Sequence, residues 1–162
     1  MIDLRDTDSN SYLSFRIGTE LFGASVLHVI SILEMTKVTR VPQAPEHMRG
    51  VINLRGSVLP VIDTRIKFGM EDTSYTTNTC ILVLEVMIKN ESIRMGAIVD
   101  SVQEVLTLIE EDIQPPPQLG QGFQAELING MAKVNEEFIM LLDIVKLFSE
   151  EGATDIKGSR DD

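Results

Sequence analysis

Gly50-Val51-Ile52-Asn53-Leu54-Arg55-Gly56-Ser57-Val58-Leu59-Pro60-Val61-Ile62-Asp63-Thr64-Arg65 is the stretch that decides the fold. Two apolar arms, Val51-Ile52 and Val58-Leu59-Pro60-Val61-Ile62, flank a polar apex, Asn53-Leu54-Arg55-Gly56. β-Branched residues on both arms and a Gly where positive φ is needed predict a β-hairpin. The hairpin lifts Arg55 at its tip, where a cation can meet a partner. The plain alternative is a solvated turn arginine.

Outward from the hairpin, the chain says nearly the same thing twice. Gly23-Ala24-Ser25-Val26-Leu27-His28-Val29-Ile30-Ser31-Ile32-Leu33 lines up with Gly96-Ala97-Ile98-Val99-Asp100-Ser101-Val102-Gln103-Glu104-Val105-Leu106. Gly50 to Phe68 lines up with Gly130 to Phe148, pairing Asp63 with Asp143, and Tyr12–Ile17 resembles Ile81–Val86. The offset drifts from 69 to 73 to 80, so the gaps fall in loops such as Asn90-Glu91 and Pro115-Pro116-Pro117. A duplicated β-unit of about five short strands explains this, each unit closing into a small barrel that hides its edges. The units are expected at about 12–70 and 79–149. Each alone buries too little surface, so the two are expected to share an interface core.

Strands are predicted at Tyr12–Ile17, Leu21–Ser25, Ile30–Met35, Val38–Val41, Val51–Leu54, Val58–Asp63, Cys80–Lys89, Ile93–Asp100, Glu104–Ile109, Ile128–Val134 and Phe138–Asp143. Short helices are expected at Thr64–Phe68 and Asp143–Glu150, and one helical turn at Pro45–Met48. In the second helix Ile144, Leu147 and Phe148 form one apolar face. Residues 1–11 read as a flexible polar leader with no signal-peptide character, and 150–162 as a disordered acidic tail.

Composition narrows the function. The 162 residues carry a net charge of −11, which repels phosphate backbones and argues against nucleic acid as a partner. No apolar run reaches the roughly 18–20 residues of a membrane span. The single cysteine, Cys80, opens an apolar run and reads as a packed thiol. These features fit the cytoplasm. No phosphate-binding loop, dinucleotide fingerprint, zinc-protease motif or nucleophile elbow occurs. His28 and His47 stand without further Cys or His at ligand spacing, so no metal site is expected. The chain reads as a protein that binds rather than catalyses, with no catalytic residue and no cofactor.

Several segments resemble the CheW family, the adaptors of bacterial chemotaxis arrays. They are Tyr12-Leu13-Ser14-Phe15-Arg16-Ile17-Gly18, Val38-Thr39-Arg40-Val41-Pro42, Met48-Arg49-Gly50-Val51-Ile52-Asn53-Leu54-Arg55-Gly56, Val58-Leu59-Pro60-Val61-Ile62-Asp63 and Gly96-Ala97-Ile98-Val99-Asp100-Ser101-Val102. The resemblance covers about Tyr12 to Ser149. Similar domains end the kinase CheA and begin CheV proteins, but no kinase or receiver segment accompanies this one. The stand-alone adaptor is the best match.

The resemblance implies a mainly β fold of two intertwined five-stranded SH3-like β-barrels with a few short helices. It implies a scaffold holding the regulatory domain of the histidine kinase CheA on one surface and the cytoplasmic tip of a chemoreceptor on another. The protein would then be cytoplasmic and meet the membrane only through receptor arrays. Carried onto this chain, the receptor-contact candidates in a groove between the barrels are Val29, Ser31, Arg55, Val102 and Val105. Gly50, Gly56 and Gly96 shape the backbone near that surface.

One position departs from the family. Val29-Ile30-Ser31-Ile32 stands where relatives often have Val-x-Glu-Ile, so an acid is missing at Ser31, while the second unit keeps Glu104. This implies a receptor preference of its own. Two other readings remain: an adaptor of a non-flagellar pathway, and a small-molecule-binding barrel pair.

Overall fold

The computed structural model describes residues 10–116 and 125–151. Ten strands follow one another: β1 Ser11–Ile17, β2 Glu20–Ser25, β3 Val29–Glu34, β4 Met48–Leu54, β5 Ser57–Asp63, β6 Cys80–Ile88, β7 Glu91–Val99, β8 Ser101–Thr107, β9 Ile128–Val134 and β10 Glu137–Leu142. Helix α1, Thr64–Lys67, follows β5, and α2, Ile144–Glu150, follows β10. Ser11 lies inside β1, so the leader ends sooner than expected. Residues 1–9 and the tail beyond Glu151 lie outside the described residues, and Glu150, the expected start of the tail, ends α2.

The strands make two five-stranded sheets, β8-β1-β2-β10-β9 and β3-β6-β7-β5-β4. In the repeat, β1–β5 match β6–β10 in order. Each sheet therefore takes its first two strands from one repeat and its last three from the other, in one common order. The duplication folds with its strands exchanged. The register repeats too: Phe15 faces Val102 across a bulge in one sheet, and Leu84 faces Val29 across a bulge in the other.

Each sheet closes on itself. Thr39, beyond the end of β3, bridges Val51 of β4 through hydrogen bonds of 2.9 and 2.8 Å. Gln114, beyond β8, bridges Met131 of β9 at 2.8 Å in both directions. The stretch expected as the strand Val38–Val41 forms only the Thr39 bridge, because Pro42 has no N–H to continue a ladder. Pro45–Met48 makes a turn closed by a 3.0 Å bond from the Met48 N–H to the Pro45 carbonyl, not a helix.

Strand periodicity explains the core. In β6, Leu82, Leu84 and Val86 enter the large core between the sheets, whereas Ile81 and Val83 enter the smaller core of the second barrel. In β10, Leu142 enters the shared core, whereas Ile139 and Leu141 enter the core of the first barrel. A strand between two cores is apolar on both faces, which is why β6 reads as a continuous run. The shared core holds Phe15, Phe22, Phe148 and Ile17, each nearly or fully buried and each worth about 1.5–3 kcal/mol of transfer free energy. The two repeats are held together where they could not stand alone.

Asp63 and Asp143 begin the two helices in matching fashion. Each side chain accepts a backbone N–H of the first turn, Asp63 from Arg65 at 2.9 Å and Asp143 from Lys146 at 3.0 Å. Such caps are worth about 1 kcal/mol each.

Candidate partner-binding surface

Arg55 occupies the apex of the β4–β5 hairpin with φ 53°, followed by Gly56 at φ 85°. Two successive positive φ values match the twist of the flanking strands. The Asn53 side chain accepts the Gly56 N–H at 2.8 Å and holds the turn. Lys89-Asn90 and Asn135-Glu136 turn their hairpins the same way. Arg55 is exposed, and no hydrogen bond or ion pair to its side chain is seen among the described residues.

The other candidates separate. Ser31 lies half-buried on β3, opposite Val83 of β6. Val105 stands on β8, 44% exposed, and Val102 is half-buried against the shared core. Val29 is only 3% exposed and belongs to that core, so it supports the surface from beneath and offers no apolar contact of its own. The bulge turns Val29 inward, a displacement that strand alternation alone does not reveal. In the second sheet β6 and β7 lie between β3 and β5, so Ser31 and Arg55 are on separate strands and are not neighbours in the ladder.

Two of the glycines act through close approach. A Cβ on Gly50, at φ 145°, would lie 2.0 Å from the Thr39 carbonyl oxygen, at the bridge that closes the second barrel. A Cβ on Gly96 would lie 2.9 Å from Cγ2 of Ile81. Both are buried, so they shape the backbone from inside. Gly56 has nothing within 4 Å of an added Cβ and is required only by its φ.

Reading the repeat through to the surface finds residues that the family pattern missed. Ile32, 42% exposed, occupies on β3 the position that Val105 holds on β8. Val58 and Phe138, 74% and 56% exposed, match on β5 and β10. The signal was present in the repeat alignment, but alternation did not say which face stays open.

Ion pairs organise the polar rim. Arg49 bonds Asp63 at 3.2 Å and Asp72 at 2.5 Å, which raises its pKa, and the Tyr75 hydroxyl donates to Asp63 at 3.0 Å. Burial pushes the Tyr75 hydroxyl up, and the Asp63 charge adds to this, to about 12. Arg65 reaches both oxygens of Asp100, which also accepts the Gly18 N–H at 2.5 Å, tying α1 to the β1–β2 turn. Arg16 pairs with Glu137 and holds its carboxyl below the usual range. Burial pulls Lys67 down, but Glu151 and Glu150 more than offset this and leave it raised. Cys80 is half-buried and bonds the Asn78 carbonyl at 3.2 Å, and burial pushes its thiol up. Among the described residues, no group of His, Cys, Asp and Glu is arranged to hold a metal.

A two-barrel molecule with exchanged strands and matching surface residues invites comparison. The family model described as CheW-like domain matches residues 11–152. The chain belongs to the CheW-like domain family. It is 37% identical to Chemotaxis protein CheW of Klebsiella aerogenes over 147 residues, 90% of this chain and 86% of that one. It is 36% identical to Probable chemotaxis protein CheW of Rhizobium etli over 138 residues, 85% of this chain and 86% of the other. The crystal structure of scaffolding protein TtCheW from Thermoanaerobacter tengcongensis superposes with a TM-score of 0.74 at 29% identity, covering 84% of this chain and 90% of that one. The CheW-like fold expected from the sequence is therefore the fold observed.

Proposed function

We propose that this protein is a non-enzymatic scaffold that couples chemoreceptors to the histidine kinase CheA in bacterial chemotaxis. One observation carries the reading. The two barrels present exposed apolar residues at matching places, Ile32 with Val105 and Val58 with Phe138, on surfaces that are related but not identical. A molecule with two similar faces can hold two different partners side by side. Large exposed apolar residues commonly mark such contacts.

The receptor surface in this proposal consists of Arg55, Ser31, Ile32, Val102 and Val105, with Val29 supporting them from the core. A helical receptor tip lays apolar residues into a groove, and Arg55 supplies a charge for a tip carboxylate. The protein works in the cytoplasm and reaches the membrane only through receptors. In support, no helix among the described residues is long and apolar enough to cross a membrane.

The test is a pull-down with the regulatory domain of CheA and a receptor signalling fragment, each alone and then together, with kinase activity measured in each mixture. Binding to both, with activity rising only in the three-part mixture, supports coupling. Binding to neither overturns it.

A further inference from the structure

Between the barrels lies a cavity of about 530 Å³ with Phe22, Phe68, Met70, Met131 and Met140 in its wall. Phe138 and Glu20, both exposed, also line it. Phe68 and Met70 come from the chain after α1, and the rest from the sheet containing β2, β9 and β10. Phe22 and Phe68 stand 5.4 Å apart between ring centroids, tilted by 38°. The volume lies within the range of small-molecule sites, roughly 300–1,000 Å³.

The internal repeat supplies a control. Its counterpart, lined by Met48, Pro60, Ile93, Arg94, Met95, Phe148 and Glu151, is a cavity of about 120 Å³. Pro60 stands where the larger cavity has Met140, Met95 where it has Phe22, and Ile93 where it has Glu20. The same fold position is thus narrow in one half of the molecule. In the other half it is wide, carries three phenylalanines instead of one, and has a carboxylate at its edge with no arginine in the lining.

Aromatic faces, thioethers and one carboxylate together suit a cation carried on an apolar body. Ring quadrupoles attract ammonium groups, methionine adapts to irregular apolar shapes, and Glu20 supplies the opposite charge. Glu20 is the sole ionisable residue of the lining among the described residues; outside the lining the Thr19 hydroxyl donates to it at 3.4 Å and the Arg16 charge acts on it. We propose that this cavity is a binding site for a hydrophobic organic ammonium compound, with the apolar body against Phe22, Phe68 and the methionines and the ammonium between Glu20 and Phe138. The site shares Phe138 with the matched apolar faces above, and none of its lining residues belongs to the receptor surface.

The test uses the full chain with isotope-labelled methionine methyl groups, titrated with diphenylpropylamine and with diphenylpropionate, its carboxylate counterpart. The amine shifts the methyl resonances of Met70, Met131 and Met140 in a saturable way and leaves Met35 and Met87 in place. The carboxylate binds about fivefold or more weakly, since its charge meets Glu20 with the wrong sign. Glu20→Gln, at an exposed position, erases the preference, and Phe138→Ala weakens the amine by about two- to fivefold. Three methyls unmoved at millimolar amine overturn the proposal. So does equal binding of the two compounds, or a preference that survives Glu20→Gln.

Discussion

Gly23 of β2 faces Leu141 of β10 in a parallel strand pair, and Gly96 of β7 faces Val61 of β5 in the same register in the other sheet. A Cβ on Gly23 would lie 3.1 Å from Leu141 and 2.9 Å from Ile139; one on Gly96 would lie 3.2 Å from Val61 and 3.3 Å from Leu59. These contacts are the seams where strands of one repeat meet strands of the other.

Alanine at either seam should therefore overpack it. Gly23→Ala and Gly96→Ala are expected to cost about 1–3 kcal/mol each, with neighbouring side chains giving way. Gly50→Ala should cost more than either, because its Cβ would meet backbone, the Thr39 carbonyl oxygen at 2.0 Å. Urea unfolding of the three variants checks the order. Gly50→Ala as the mildest would contradict the barrel closure drawn here.

Ser14 should matter more than its size suggests. Its hydroxyl donates to the Glu104 carbonyl at 2.8 Å and accepts the Glu104 N–H at 3.1 Å, clasping β8 beside its bulge. The matching position in the other sheet is Val83, which offers no such clasp. Ser14→Ala is expected to cost about 1 kcal/mol and to speed hydrogen exchange at the Glu104 amide. Unchanged exchange there would mean that the clasp is idle.

At the hairpin tip, charge and backbone should separate cleanly. Arg55→Glu is expected to weaken receptor binding with no change in melting temperature, because the side chain is exposed and unpaired among the described residues. Gly56→Val is expected to destabilise by about 1–2 kcal/mol or more, since a β-branched residue tolerates φ 85° poorly. A melting temperature lowered by Arg55→Glu would make Arg55 structural.

Ser31→Glu restores the acid common among relatives on a half-buried β3 position. It is expected to shift affinity among receptor fragments from different receptors. Affinities unchanged for every receptor tested would end the idea that Ser31 sets a preference.

Of the two tyrosines, Tyr75 reports on the Arg49–Asp63 network. Both titrate above their ordinary value of 10, Tyr12 through burial and Tyr75, near 12, through burial and Asp63. A raised folded pKa stabilises fully below the unfolded value and is lost as pH rises through the folded one. Tyr75 should therefore stop favouring the fold between about pH 10 and 12. Ultraviolet titration of Asp63→Asn, which keeps a capping side chain, should show the Tyr75 midpoint lowered. A midpoint that stays put would assign the whole rise to burial.

Much of this was legible because it is local. The Asn53-Leu54-Arg55-Gly56 turn, the capping aspartates Asp63 and Asp143 and all ten strands follow from turn chemistry, caps and two-residue alternation. The expected strand at Val38–Val41 shrank to the Thr39 bridge because Pro42 has no N–H to continue the ladder, which alternation does not weigh. The burial of Val29 was hidden by a bulge. Of the site residues, the position of Arg55 on its turn could be read directly. Ile32 could have been found by carrying Val105 back through the repeat.

By itself, then, the sequence determined that the unit occurs twice, where its strands and turns lie, and that one arginine stands at a hairpin tip. The strands, turns and tip depend on residues a few positions apart, and the repeat on matching such local patterns 69 to 80 positions along the chain. Only the tertiary structure decided that each sheet joins two strands of one repeat to three of the other. It also decided that Val29 faces inward and that one interbarrel cavity is wide and its twin narrow. Alternation tells a residue to face a core without saying which core, and here the strands have two to choose from.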